Sequence, residues 1–251
     1  MTIDGDEDLE GLRRAGRVVA EVRDAMLHAV APGVSTAELD AIARDALGRH
    51  GARSAPRLAY GFPGSTCISV NDEAAHGIPS PMRRLAEGDL VNIDVSAELD
   101  GYWADTGASR AVGRVPARHR ELLDATRLAQ REAMAEARAG APLRHIGRAV
   151  QRRARRHGFT VLADLCGHGV GRSIHEEPSV PGIEDPRDRT VLWEGLVLAI
   201  EPFLSTGARR SRPGDDGWTL HTEDGSAVAQ FEHTVVVTAG APLVLTESSA
   251  G

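Results

Sequence analysis

The feature that most limits how this chain can fold is an internal repeat with an offset of 107 residues. Gly33, Leu39, Arg49, His50 and Gly51 return as Gly140, Ile146, Arg156, His157 and Gly158. Around these positions the pattern is the same both times: a helix, a glycine break, a second helix, a His-Gly stop and then a strand. The identities are few and helix pairs are common, so chance recurrence is the competing reading. Taken as a repeat, the pattern predicts two similar α/β halves, over 8–112 and 117–245, with a natural site at their junction.

In the first half, Leu9, Leu12, Val19, Val22 and Met26 recur near helical spacing over 8–28, and Pro32-Gly33 ends that helix. Ser35-Thr-Ala-Glu38 forms a capping box for a second helix, with Leu39, Ile42, Ala46 and Leu47 on one face and Gly51 as its stop. From 55 to 81 the pattern is loop and strand: Cys67-Ile-Ser-Val70 reads as a short strand, Asn71-Asp-Glu as a turn and His76-Gly-Ile-Pro as irregular. In the second half, helices are predicted over 117–139 and 143–157, broken at Gly140-Ala-Pro142. The Arg152-Arg153 and Arg155-Arg156 cluster reads as a solvated helix face.

The acids sit on strands. Leu90 to Ser96 alternates, with Val91, Ile93 and Val95 facing one way and Asn92, Asp94 and Ser96 the other. Asp100-Gly101 is a hairpin turn signal, and Tyr102 to Thr106 is the returning strand. Asp94 and Asp105 are then expected to face each other across the hairpin, with Cβ atoms roughly 5 Å apart. Like charges so placed repel unless a cation or a shared proton lies between them; two exposed strand acids are the competing reading. Leu196 to Ile200 reads as a buried strand closed by Glu201, where an ionised glutamate is costly without a positive partner. Ala227 to Thr238 reads as one strand, with Gln230, Glu232 and Thr234 on one face. Trp218 follows a loop over 213–217.

The stretch from Leu165 to Pro178 sets three glycines among His168, His175, Glu176 and Glu177, and it reads as neither helix nor strand. Glycines let a chain approach a bound group closely, and two imidazoles seven positions apart can converge on one point. Alone, this stretch also suits a polar surface loop.

Composition narrows the chemistry. All 29 basic residues are arginine, which excludes Schiff-base chemistry, lysine-anchored pyridoxal phosphate and the lysine of a phosphate-binding loop. Cys67 and Cys166 are too few for a multi-cysteine zinc site or a disulfide framework. A net charge of −7 argues against nucleic acid or an anionic membrane as the main partner. No apolar run reaches the roughly 18 residues of a membrane span. The acidic start, Met1-Thr-Ile-Asp-Gly-Asp-Glu-Asp, is unlike a signal peptide, so the cytoplasm is the expected compartment. No composition shift divides the chain, and a single domain over 1–251 is expected.

Asp94, Asp105, His168, Glu201 and Glu232 would repel as an empty cluster. Two divalent cations would neutralise them, and this oxygen-rich set suits manganese, cobalt, iron(II) or zinc. Cations roughly 3.5–4 Å apart can hold and deprotonate a water for attack on a carbonyl. His76 and His175 are left to hydrogen-bond the substrate or its oxyanion, although a lone histidine such as His76 is more often structural. Other readings are weaker. His175-Glu176 lacks the second histidine of a zinc-protease helix, because Ser179 stands there. Cys166 near His168 could suggest a thiol nucleophile, but the histidine is better used as a ligand. Gly167-x-Gly-x-Gly171 lacks a strand-to-helix dinucleotide context.

Jointly, Cys67-Ile-Ser-Val-Asn with His76-Gly-Ile-Pro, Val91-Asn-Ile-Asp-Val, Cys166-Gly-His-Gly-Val-Gly-Arg with His175-Glu-Glu-Pro, Ile200-Glu-Pro and Gln230-Phe-Glu-His-Thr resemble the type I methionine aminopeptidases. The likeness runs from Gly11-Leu-Arg-Arg to Glu232-His-Thr-Val. It implies the creatinase/aminopeptidase, or pita-bread, fold: α+β, with two pseudo-symmetric α/β halves and a central antiparallel sheet. It implies removal of the initiator methionine from the N-termini of nascent polypeptides whose second residue is small. The expected enzyme is a cytoplasmic monomer that can meet its substrate at the ribosome and needs neither nucleic acid nor membrane.

By the same resemblance, Asp94 chelates one of two divalent ions (cobalt, manganese, iron(II) or zinc), His168 and Glu201 complete the other, and Asp105 and Glu232 bridge both. Glu201 also takes the water's proton, and His76 and His175 contact the substrate. Phe62, Cys67 and Trp218 fall on the methionine pocket. Two pocket positions depart: Ala59 stands where tyrosine is frequent, and Ile174 where phenylalanine is usual. That predicts a looser wall and eroded selectivity, unless Tyr60 or Leu58 fills the gap. The chain has neither the long insertion between His175 and Glu201 of the type II enzymes nor an N-terminal zinc-binding extension. An X-prolyl dipeptidase of the same fold is the runner-up, with His76-Gly-Ile-Pro and the short chain against it. A non-catalytic peptide-binding relative is the alternative of another class; the complete ligand set and both histidines speak against it.

Overall fold

The computed structural model describes residues 1–248. In the first half, helix α1 (Asp6–Ala29) buries Leu12, Val19, Val22 and Met26. Helix α2 (Thr36–Arg49) starts from the expected capping box: Ser35 Oγ accepts the Glu38 N–H at 3.2 Å, and Glu38 Oε2 accepts the Ser35 N–H at 2.8 Å. After strand β1 (Arg53–Ser54) comes a short helix α3 (Ala55–Tyr60), where the sequence pattern suggested only loop and strand. Pro56 lies in its first turn, where a missing N–H costs nothing. Strands β2 (Cys67–Val70) and β3 (Glu73–Ala75) follow, then the hairpin of β4 (Leu90–Leu99) and β5 (Tyr102–Ala111).

The hairpin corrects one expectation. Asp100 and Gly101 both have positive φ, 51° and 84°, which makes a two-residue turn. Leu99 therefore pairs with Tyr102, Asp94 with Gly107 and Asp105 with Ser96. Asp94 and Asp105 share a face but stand diagonally rather than opposite, because one is five residues from the turn and the other three.

In the second half, α4 (Ala117–Ala135) stops short of the expected 139, since the Ala139 N–H turns away to donate to the Thr238 carbonyl at 2.9 Å. Helix α5 (Arg144–Arg156) packs beside it, and Arg152 and Arg153 both pair with Glu132 of α4, so that cluster is not merely solvated. After β6 (Thr160–Val161), the glycine-rich stretch contains two strands that the sequence reading missed: β7 (Cys166–Gly169) and β8 (Glu176–Pro181), paired with a bulge. A Cβ on Gly167 would collide with the Ala199 carbonyl, and one on Gly169 with the Glu177 carbonyl. These glycines admit neighbouring strands, not a ligand. The rest is β9 (Val197–Ile200), β10 (Phe203–Ser205), β11 (Ser211–Pro213), β12 (Leu220–Thr222), β13 (Val228–Gln230), β14 (His233–Val236) and β15 (Leu243–Val244).

The span 227–238, expected as one strand, is broken at Phe231-Glu232. Before the break β13 pairs with β10; after it β14 pairs with β9 and β15. At the break Glu232 joins the other half, donating its N–H to the Gly107 carbonyl at 2.8 Å and accepting the Gly107 N–H at 3.4 Å.

The 107-residue offset is written into the backbone. Gly33 N–H donates to Leu85 O at 2.7 Å, and Gly140 N–H to Leu192 O at 2.8 Å. Leu85 N–H returns to Val34 O, and Leu192 N–H to Ala141 O, both at 2.9 Å. Arg53 pairs with Glu98 in one half, and Thr160 with Ser205 in the other. The strand pairings are antiparallel, and helices cover one face of each half's strands. One core joins Leu12, Met26 and Leu39 to Val91, Ile93 and Val95; the other joins Leu122, Ile146 and Val150 to Leu198, Ile200 and Val235. Burying such a side chain contributes roughly 1.5–3 kcal/mol, and it leaves the opposite strand face, with Asp94, free for chemistry. Among the described residues, no helix is long and apolar enough to cross a membrane.

Gly33 and Gly140 have φ of 88° and 85°, and an added Cβ would meet nothing within 4 Å at either. Gly33→Ala and Gly140→Ala should therefore each cost about 1–2 kcal/mol, from backbone strain alone. Urea unfolding of both variants checks this; a cost at only one position would mean that the two breaks are not equivalent.

Candidate metal and substrate site

Five side chains meet where the halves join. Asp94 comes from β4, Asp105 from β5, His168 from β7, Glu201 from the end of β9 and Glu232 from the break between β13 and β14. His168 Nε2 lies 3.8 Å from Asp105 Oδ2 and 3.6 Å from Glu201 Oε1. Gln230 Nε2 donates to Glu232 Oε2 at 3.0 Å and reaches Glu201 Oε2 at 3.5 Å. Ligand atoms of Asp105, His168 and Glu232 all lie within 4.8 Å of one another. His168 Nδ1 is 2.9 Å from the Gly169 carbonyl, which can only accept, so the ring proton sits there and Nε2 turns a lone pair toward the carboxylates.

Asp105, His168 and Glu232 are buried, while Asp94 and Glu201 keep a small opening to solvent. Burial carries the Asp94 carboxyl up to about 6. Burial, and then the neighbouring carboxylates, push Asp105, Glu201 and Glu232 well above the usual range. Burial holds the His168 imidazole down to about 4. Asp105 Oδ1 and Glu232 Oε1 are buried with no hydrogen-bond partner. Each such atom costs about 1–3 kcal/mol, more when charged. Four carboxylates, one imidazole lone pair and two orphaned oxygens fit divalent cations of the oxygen- and nitrogen-preferring kind.

Beside the cluster is a slot of about 250 Å³, walled by Tyr60, Phe62, Cys67, Ile174 and Trp218 and ending on Asp94 and Asp105. Phe62 and Trp218 meet edge to face with ring centres 5.2 Å apart. Burial, and then the Asp94 charge, push the Cys67 thiol well above its ordinary value, so it stays a neutral wall rather than a nucleophile or a thiolate ligand. On the other side a wider cleft of about 490 Å³ runs past Glu201, His168, Cys166 and Ser179. His76, Asp94 and His175 border both spaces. His76 takes a left-handed backbone, φ 56°, which is strained for a non-glycine residue. The His175 ring lies 4.3 Å from that of His168, and its Nδ1 is 2.5 Å from Tyr60 Oη. A larger cleft of about 770 Å³, rimmed by arginines between α1 and α4, shares no residue with the cluster.

The structure thus gathers eleven of the twelve residues singled out from the sequence. Ala59 is the exception: it is exposed on α3 and lines neither space. Helix α3 instead sets Pro56 and a half-exposed Tyr60 against the slot, a register too short for periodicity to show. Gln230 was also missed as the link between Glu201 and Glu232, although its place on the Glu232 face was the available signal.

A family model described as metallopeptidase family M24 matches residues 10–239. Methionine aminopeptidase 2 of Bacillus subtilis is 48% identical, covering 98% of this chain and 100% of its own. Methionine aminopeptidase of Escherichia coli is 40% identical, over 98% of this chain and 94% of its own. Among solved structures, methionine aminopeptidase of Thermotoga maritima superposes with a TM-score of 0.95 at 33% identity, over 99% of this chain and 100% of that one. Prolidase of Pyrococcus furiosus reaches 0.77 at 24% identity, over 99% of this chain and 66% of that one, a likeness of fold alone.

Chelator-treated protein should unfold at a higher temperature once manganese or cobalt is added. A cation at 100 times its dissociation constant stabilises by about 2.7 kcal/mol. Asp105→Asn and Glu232→Gln should largely lose that shift. An undiminished shift in both variants would put the cation elsewhere.

Proposed function

This chain belongs to metallopeptidase family M24, among its methionine aminopeptidases, and we propose that it hydrolyses the peptide bond after an N-terminal methionine when the second residue is small. One observation carries this reading: a single apolar slot ends on the acid cluster, while a wider cleft leads away from it. The slot has room for one long unbranched side chain. Phe62, Trp218 and the Cys67 sulfur suit a thioether. The rest of the substrate then lies along the cleft past Cys166 and Ser179. The substrates are the N-termini of nascent polypeptides, met in the cytoplasm at the ribosome, and the enzyme works as a monomer.

Two divalent cations of the manganese, cobalt, iron(II) or zinc type would be held by Asp94 on one side and by His168 and Glu201 on the other, with Asp105 and Glu232 shared. When bound they supply the positive charge that acidifies a water and polarises the scissile carbonyl. Glu201, whose proton affinity is raised by burial, takes the proton of the attacking water and returns it to the departing amine. His175 donates a hydrogen bond to the oxyanion, and His76 holds the substrate backbone. The Gly169 carbonyl fixes the His168 tautomer that ligation needs.

Met-Ala-Ser, Leu-Ala-Ser and Ala-Pro peptides test the reading with cation-loaded enzyme. The first should be cleaved well, the second weakly and the third not at all; a preference for Ala-Pro would overturn it in favour of X-prolyl chemistry. His175→Ala should lower kcat by about 10²–10³ with cation content intact, and a loss of cation in step with activity would make His175 a ligand instead. Ile174→Phe should raise the Met-Ala-Ser to Leu-Ala-Ser ratio of kcat/KM, because it adds ring to the slot wall. An unmoved ratio would remove Ile174 from the determinants of selectivity.

A further inference from the structure

We infer that Tyr60 couples recognition of the first residue to catalysis: its ring closes the methionine slot, and its hydroxyl makes His175 a hydrogen-bond donor through Nε2. The inference rests on the function proposed above. Tyr60 is the last residue of α3, two positions before Phe62, and both line the slot. With Ala59 exposed and Ile174 aliphatic, Tyr60 joins the Phe62–Trp218 pair as the slot's third aromatic ring. Its ring packs on His175, with centres 5.6 Å apart and planes tilted by 40°. Its Oη lies 2.5 Å from His175 Nδ1.

The direction of that hydrogen bond sets the rest. A neutral imidazole carries one N–H, and whichever nitrogen accepts leaves the other to donate. A tyrosine hydroxyl keeps its proton up to about pH 10, and the partial burial of this half-exposed ring raises that further. Among the described residues, Nδ1 is the acceptor within reach of this hydroxyl. Donation to Nδ1 places the ring proton on Nε2, so Nε2–H is available for an oxyanion. The opposite arrangement would turn a lone pair toward developing negative charge. A side chain that displaces the ring also displaces the hydroxyl, so a misfitting first residue loses kcat and not only affinity. Tyr60 is thus a specificity-determining residue through its ring and a positioning residue through its oxygen.

Two variants separate these roles. Tyr60→Phe keeps the wall and removes the hydroxyl: kcat for Met-Ala-Ser should fall by about 10–100-fold, with KM and cation content near wild type, and the Met-Ala-Ser to Leu-Ala-Ser ratio should fall with it, because the misfitting leucine already forgoes the hydroxyl. Tyr60→Ala should show the same fall in kcat together with a ratio several-fold below that of Tyr60→Phe. Nitrogen NMR of ring-labelled histidine reads the tautomer without turnover: His175 should carry its proton on Nε2 in the wild type and become a mixture in Tyr60→Phe. A wild-type kcat with an unchanged His175 spectrum in Tyr60→Phe, or a ratio unmoved there, would overturn the coupling, and a ratio in Tyr60→Ala equal to that of Tyr60→Phe would overturn the wall. If the wild type failed to cleave Met-Ala-Ser, the function itself would fall, while the spectrum would still decide whether Tyr60 sets the tautomer.

Discussion

Four carboxylates brought together away from water are the constraint on which this fold turns. Their mutual repulsion and desolvation oppose folding, and only well-packed surroundings can hold them in place. Each half answers this in the same way. A helix pair covers one face of the strands with Leu, Ile and Val, and the opposite face is left to carry acid. Asp94 and Asp105 arrive from one half, His168, Glu201 and Glu232 from the other. The reciprocal hydrogen bonds between Gly107 and Glu232 hold the two halves in register where the acids meet.

Much of this was legible in the sequence, and the failures have physical causes. The capping box at Ser35 and the turn at Asp100-Gly101 depend on contacts a few residues apart, and they came out as expected. The Asp94–Asp105 geometry did not, because an offset of two in a hairpin keeps the face and changes the partner. The strand read through 227–238 is interrupted because Glu232 pairs with Gly107, more than a hundred residues away, which no local alternation reveals. Helix α3 is only six residues long, too short for periodicity to show, and with it went the distinction between Ala59 and Tyr60. The glycines at 167 and 169 were rightly marked as points of close approach, but what approaches them is the neighbouring backbone.

The site's asymmetry follows from its walls. A narrow slot of about 250 Å³ and a broader cleft of about 490 Å³ open from one cluster, an arrangement that suits a chain entering by its end. The slot's thiol is kept neutral by burial and by the neighbouring carboxylates, so the cysteine does the work of a hydrocarbon while remaining soft enough for a sulfur neighbour. The stretch that carries His175 is held from outside as well. Glu176 accepts the Arg172 and Ser173 N–H groups at 2.6 and 2.7 Å, while the Arg172 guanidinium lies over the Tyr102 ring and reaches Asp8.

The recurring offset between the halves bears on how such a site can arise. The bonds that frame each half, at Gly33–Leu85 and Arg53–Glu98, recur 107 residues later, while the strand between them shifts: Ser69 pairs with Asn92 and His168 with Ala199, an offset of 99 from Ser69 to His168. Two equal units arranged in this way have the form of an isologous dimer whose subunits share one chain. In such a dimer each position at the axis must be the same residue twice. Joining the units lifts that identity: Asp94 and Glu201 stand at equivalent places, 107 apart, yet one is an aspartate and the other a longer glutamate. A symmetric seam would have to give two cations identical surroundings. A covalently joined one can make one carboxylate a ligand and let its counterpart handle a proton as well.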